Sequence, residues 1–195
     1  PLLLMLGAEG IAVGLSTKIL PHNFIECLDA MIMVLQKKPI PTLLPDFQQG
    51  GVMDASDYDE GHGKIKIRAV IEKKDKAHLV IKELPFGTTT ESLISSVENA
   101  IRKKKLKIRS ISDYTAEKVE IQITLVAGEN QDTMIQALFA LSDCEVSVSS
   151  NLLCISENRP VEMKVTDVLK FYANSLKEIL EGELEWDKNR LLDEF

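Results

Sequence analysis

Apolar positions recur at two spacings along this chain, and the spacing sorts it into helices and strands. After Asn23, an effective helix N-cap, Phe24, Leu28, Met31, Ile32 and Leu35 fall three or four residues apart. Glu26 and Asp29 sit early, where the helix dipole favours anions. A helix over about 24–36 follows, stopped by Pro39 and Pro41, with a structured loop from Pro45 to Gly51. From Lys64 to Lys73 the period changes to two. Ile65, Ile67, Ala69 and Ile71 share one face, with Lys64, Lys66 and Arg68 on the other, which predicts one half-buried strand with a cationic outer face. A polar turn at 74–77 and a returning strand at 78–84 complete a hairpin.

Hydroxyl caps at Thr88–Thr90 then open an amphipathic helix through Leu93, Ile94, Val97 and Ile101, ending in the cations Arg102–Lys105. Strands are predicted at about 108–112, 118–127 and 145–155, and a helix at 131–141. Thr166 or Asp167 is read as the cap of a last helix, with Val168, Leu169, Tyr172, Leu176, Ile179, Leu180 and Leu184 on one seam. Its length and narrow seam predict a coiled-coil arm. The elements intermix without a regular βαβ period, so the expected fold class is α+β, a mixed or antiparallel sheet with packed helices, ending in a long coiled-coil-type helix.

Charge changes the picture more than composition does. The net charge is −7, yet residues 60–109 carry thirteen basic and six acidic side chains while both flanks are acidic. A basic middle third, with Arg102–Arg109 in the same block as Lys64, Lys66 and Arg68, reads first as a solvated strand face, with a continuous phosphate-binding surface as the alternative. At 195 residues and 45% hydrophobic the chain can bury a proper core. The apolar run Leu2–Leu6 is far short of the roughly 20 residues a membrane helix needs. Cys27, Cys144 and Cys154 form no CxxC pair and read as reduced thiols of a cytoplasmic protein.

Nucleotide binding at Gly61-His62-Gly63-Lys64 is not supported. The phosphate-loop pattern needs glycine where Tyr58 stands and a hydroxyl where Ile65 stands. His22, His62 and His78 lack carboxylate or thiol neighbours at ligand spacing, so neither a metal site nor a catalytic triad emerges.

The segment Gly10-Ile11-Ala12-Val13-Gly14, followed by Pro21-His22-Asn23, resembles the strand-to-helix junction of the A subunits of bacterial type IIA DNA topoisomerases, gyrase and topoisomerase IV. Further segments match in order: Pro45-Asp46-Phe47 with Gly50-Gly51, the strand from Gly61 to Ala69, and Glu83-Leu84-Pro85-Phe86. Ala8-Glu9, Lys18 and the wording Phe86 to Thr90 sit closer to topoisomerase IV; gyrase stays open as the alternative. The resemblance implies that residues 1–36 end a breakage-reunion core, that 37–163 form a tower-like domain, and that 164–195 begin an arm toward a dimer gate.

It also implies the chemistry. Ile11 would be the wedge that enters the duplex and kinks it, because an apolar wedge offsets unstacking by giving bent DNA more protein to touch. Lys18, His22, Asn23, Lys64, Lys66 and Arg68 would bind DNA, holding phosphates without reading sequence. Glu9 would oppose Lys18 there.

The family's tyrosine nucleophile follows an arginine on an upstream winged-helix domain. Tyr58, Tyr114 and Tyr172 have no arginine before them, so this piece is expected to bend DNA but not to cut it. No cofactor is expected on it, with Mg2+ and ATP on a partner B subunit. Expected partners are double-stranded DNA, a second copy of the A chain, and the B chain that completes a heterotetramer. They would meet in the nucleoid-associated cytoplasm, away from membranes. The rival reading is a non-catalytic α+β scaffold whose basic face docks an acidic protein.

Overall fold

Short polar side chains set where the helices begin, and long-range pairing sets where the strands end. The computed structural model describes residues 1–156 and 158–194. In chain order it contains α1 (Leu2–Leu6), β1 (Ala8–Ala12), β2 (Leu15–Ile19), α2 (Phe24–Leu35), β3 (Val52–Asp54), a 3-10 turn (Asp59–Gly61), β4 (Lys64–Arg68), β5 (Val70–Asp75) and β6 (His78–Glu83). Then come α3 (Thr90–Arg102), β7 (Ile108–Asp113), β8 (Ile121–Leu125), α4 (Gln131–Leu141), β9 (Glu145–Ser149), β10 (Leu153–Ser156), β11 (Arg159–Glu162) and α5 (Val165–Asp193). The class is α+β with antiparallel sheets and a long terminal helix, as the patterning predicts.

Asn23 caps α2 by accepting from the amides of Ile25 and Glu26, and Asn130 does the same for α4 with Asp132 and Thr133. Thr89 caps α3 reciprocally with Ser92. The last helix starts earlier than the hydroxyl pattern predicts. Lys164 is its N-cap, its amide donating to the Asp167 carboxylate at 3.4 Å, while the Thr166 hydroxyl donates to Glu60 instead.

The chain divides into two units. One comprises Pro1–Asp46, Tyr58–Gly63 and Ser149–Phe195; the other comprises Phe47–Asp57 and Lys64–Val148. The second unit holds a four-stranded sheet in the order β5-β6-β8-β7, with α3 and α4 packed on one face. Leu79, Ile81, Ile121, Ile123 and Leu125 point from the sheet into Leu93, Val97, Met134 and Leu138. Both outer strands carry register irregularities, at 70–71 and 73–75 in β5 and at 108–110 in β7.

The single strand predicted over 64–73 is two strands in two sheets. β4 pairs with β3 and β9, and β5 pairs with β6. The break falls at buried Ala69, whose amide turns to the Cys144 carbonyl at 2.8 Å. The strand expected over 145–155 also divides, because residues 150–152 give their backbone groups to Gly63, Lys18 and Gly61 rather than to a continuous ladder.

In the first unit α2 packs against α5 around Leu4, Leu20, Cys27, Ala30, Met31, Val168, Leu169 and Ala173. α1 ends at Gly7, whose φ is 69° and where a Cβ would stand 2.5 Å from the Ile19 carbonyl, so no other residue fits. Beyond Ala173, the seam of Leu176, Ile179, Leu180, Leu184, Leu191 and Leu192 is exposed. Cys27 and Cys144 are buried and Cys154 half-buried, all as free thiols. No helix among the described residues is long and apolar enough to cross a membrane.

Candidate nucleic-acid interface

Strands β1 and β2 form a two-stranded hairpin in which Ala12 faces Leu15, so Val13 and Gly14 are its turn. Gly14 takes φ 78°, a conformation that favours glycine. The tip has no core beneath it. Ile11 is 89% exposed, and Val13 and Leu15 are exposed too. Gly10 differs from Gly7, since a Cβ added there would meet only a Thr17 methyl at an ordinary 3.7 Å. The fold itself does not require glycine beside Ile11.

A second hairpin, β10–β11, flanks the first. The backbones of Lys18 and Asn151 exchange hydrogen bonds at 2.8 and 2.9 Å, and the Asn151 side chain donates to the Ser16 carbonyl at 2.8 Å. Between the hairpins lies an apolar groove of about 350 Å³, lined by Ile11, Leu15, Leu153, Ile155 and Pro160 among others. Ile155 stands 82% exposed on the second hairpin. Patterning missed this hairpin because 145–155 reads as one strand, and no local signal separates its two halves.

Lys18 is half-exposed and paired with Glu9 directly across the hairpin, 3.0 Å apart. The carboxylate expected to oppose its neighbour's contact therefore neutralises it. A surface pair of this kind is worth ~0–1 kcal/mol, so the lysine is readily released to a stronger anion. His22 is only 3% exposed, its amide on the Leu4 carbonyl at 2.8 Å and its Nε2 3.0 Å from the Tyr58 hydroxyl. Burial holds its pKa below the ordinary histidine value. Asn23 uses Oδ1 to cap α2, and Nδ2 donates to Asp46 at 2.9 Å. Both residues are committed to the fold's own bonds.

The other three candidates lie in the second unit. On β4, Ile65 and Ile67 are buried while Lys64, Lys66 and Arg68 alternate outward. Arg68 is tied to Glu145 and lies over the Phe139 ring at 5.1 Å. Lys64 and Lys66 have no ion-pair partner among the described residues. Asp54 faces Lys66 across the β3–β4 ladder, its carboxyl held below the usual range first by hydrogen bonds from Ser56 and then by the two cations. Among the described residues no group of three or more His, Cys, Asp or Glu side chains gathers to hold a metal ion.

The first unit thus exposes an aliphatic side chain on an anchored hairpin, and the second, by itself, a strand that turns cations outward. The family model for the A subunits of DNA gyrase/topoisomerase IV matches residues 1–195. The chain is 47% identical to the A subunit of DNA topoisomerase 4 from Borreliella burgdorferi over 193 residues, 99% of this chain and 31% of that protein. It is 29% identical to the DNA gyrase A subunit of Lawsonia intracellularis and 30% identical to that of Leptospira biflexa, each match covering 97% of this chain and 25% of the relative. The chain belongs to the A-subunit family of type IIA DNA topoisomerases. It spans less than a third of these relatives, and resembles the topoisomerase 4 protein more than either gyrase protein.

Proposed function

We propose that this chain is the DNA-bending region of a type IIA topoisomerase A subunit, whose parent enzyme passes one duplex through a transient break in another at the expense of ATP. One observation carries the reading: Ile11, 89% exposed, stands on a hairpin anchored to its neighbour through Lys18, Ser16 and Asn151. An aliphatic side chain held out on such a mount can enter a base step, where unstacking costs a few kcal/mol and wider protein contact with the bent duplex offsets it. Lys18, Lys64, Lys66 and Arg68 take phosphates, and His22 and Asn23 serve the interface from within by fixing the start of α2. In this reading residues 37–163 are the tower domain and 164–195 the arm toward the dimer gate. The tyrosine nucleophile belongs to another part of the A subunit, the ATPase and Mg2+ site to a B subunit, and the working assembly is a heterotetramer acting on the nucleoid in the cytoplasm.

The test is Ile11→Ala in the full-length protein, with end-labelled duplexes reporting bending by energy transfer. Bending is expected to fall while affinity for the duplex largely remains. Unchanged bending would remove Ile11 from this role. A salt series separates DNA from the acidic-protein alternative, because log K falls by about 0.9 per decade of salt for each phosphate contacted. A flat response to salt favours the docking scaffold.

A further inference from the structure

One aliphatic side chain in water means little, but a group of them rimming a single groove marks a contact surface. Ile11, Leu15, Leu153, Ile155 and Pro160 form such a group between the β1–β2 and β10–β11 hairpins. On β10, Leu153 is half-buried, and Ile155, two residues on and so on the same face, stands out in solvent. Pro160 faces Ile155 across the β10–β11 ladder and has no amide to donate, which suits a strand at an edge. Small residues, Gly10, Ala12, Ser16 and Thr17, also line the groove and leave it open.

Hydrogen bonds set the spacing of the two walls. Ile11 stands opposite Ser16 in the β1–β2 register. The Ser16 carbonyl accepts Asn151 Nδ2 at 2.8 Å, and the Thr17 hydroxyl donates to the Asn151 carbonyl at 3.2 Å. The same hydroxyl oxygen accepts the Leu153 amide at 3.4 Å, and Leu153 leads into Ile155. A path of hydrogen bonds with known partners therefore joins the hairpin of one isoleucine to the hairpin of the other.

We propose that Ile155 is a second DNA-contacting residue: Ile11 and Ile155 are two prongs of one wedge, and the groove between them takes the apolar edge of the nucleotide beside the opened base step. This rests on the DNA-bending reading above. Ile11 itself lines the groove, so a duplex that Ile11 enters lies over the groove and meets its other wall. Deoxyribose and base face are the parts of a nucleotide that such aliphatic walls accept. The contact is gained as the duplex bends onto the hairpins, so it favours the bent state over the straight one.

Ile155→Ala and Ile155→Leu in the full-length protein test this beside Ile11→Ala. Ile155 is exposed, so both variants should keep the wild-type melting temperature. With end-labelled duplexes, Ile155→Ala is expected to lower the ratio of bent to straight duplex about fivefold. Ile155→Leu should stay near wild type, because apolar contact is what the position supplies. The double variant Ile11→Ala, Ile155→Ala should bend as Ile11→Ala alone does, since the second prong has nothing to touch until the first is in. Full bending in Ile155→Ala, equal loss in Ile155→Leu, or a further loss in the double variant overturns the proposal. So does a change in self-association by light scattering with bending intact, which assigns the groove to a second copy of the chain. Bending lost in Ile11→Ala but kept in Ile155→Ala fails this inference alone; bending kept in Ile11→Ala fails the DNA reading on which it rests.

Discussion

The two units expose their candidate contact residues in opposite ways. In the second, cations project from one face of β4 while Ile65 and Ile67 on the other face belong to the core. The exposed cations and the core residues occupy different sides of one strand. In the first, the exposed tip of β1–β2 is tied down through the Lys18–Asn151 backbone pair and the bond from the Asn151 side chain to the Ser16 carbonyl, so support and exposed tip share one short hairpin. A region of the first kind tolerates changes to its working face; a region of the second kind resists changes anywhere in its support.

The largest effect expected from this contrast is in the core that frees the β4 face. Leu138→Ala opens a void beneath the four-stranded sheet and should cost ~2–5 kcal/mol by urea denaturation. A loss well under 1 kcal/mol would mean that this core does not carry the second unit.

Next comes a pair of glycines, Gly7 just before β1 and Gly10 within it. Gly7→Ala forces a Cβ against the Ile19 carbonyl at positive φ and should destabilise by ~2 kcal/mol or more. Gly10→Ala should leave the melting temperature nearly unchanged yet reduce bending, because the added methyl stands beside Ile11. Equal destabilisation by the two would erase the distinction between support and working surface.

The third expectation concerns acid. His22 is neutral when folded, with its pKa lowered by burial, so below its unfolded value of about 6.5 the unfolded chain binds the extra proton. Stability is complete above that pH. It should decline as pH falls toward the folded pKa, by at most ~1.4 kcal/mol per unit, ahead of the carboxylates. Thermal melts between pH 7 and 5 should show this slope, and His22→Gln should flatten it.

The smallest effect is on stability and belongs to Lys66→Gln. Its melting should shift by no more than about 0.5 kcal/mol, while the salt slope of duplex binding loses about 0.9. An unchanged slope removes Lys66 from the phosphate contacts.

Local pattern was a good guide wherever one element satisfied itself. The helix predicted over 131–141 is α4 to the residue, and the alternation at 64–68 is the burial pattern of β4. It failed where distant partners decide. Ala69 turns the chain because Cys144 is there to accept its amide, and residues 150–152 interrupt a strand because Lys18, Gly61 and Gly63 claim them. For the candidate interface, the outward turn of Lys64, Lys66 and Arg68 was visible in the alternation, whereas the exposure of Ile11 was expected only through the family resemblance. The Tyr58–His22 contact was not visible, since the two lie 36 residues apart and a lone tyrosine carries no mark of the contacts it will make.

The interleaving of the two units bears on how the molecule is born. Residues 64–148 are almost the whole of the second unit and lie in one stretch, whereas the first unit needs its opening 46 residues to meet a segment that begins at 149. On the ribosome, at about 5–20 residues per second, the sheet with α3 and α4 can therefore be complete while the leading hairpin still waits seconds for Asn151 and α5 to emerge. Until then its aliphatic tip is open to chaperones, and a nascent chain stalled short of 149 would hold one finished half and one half with nothing to fold against.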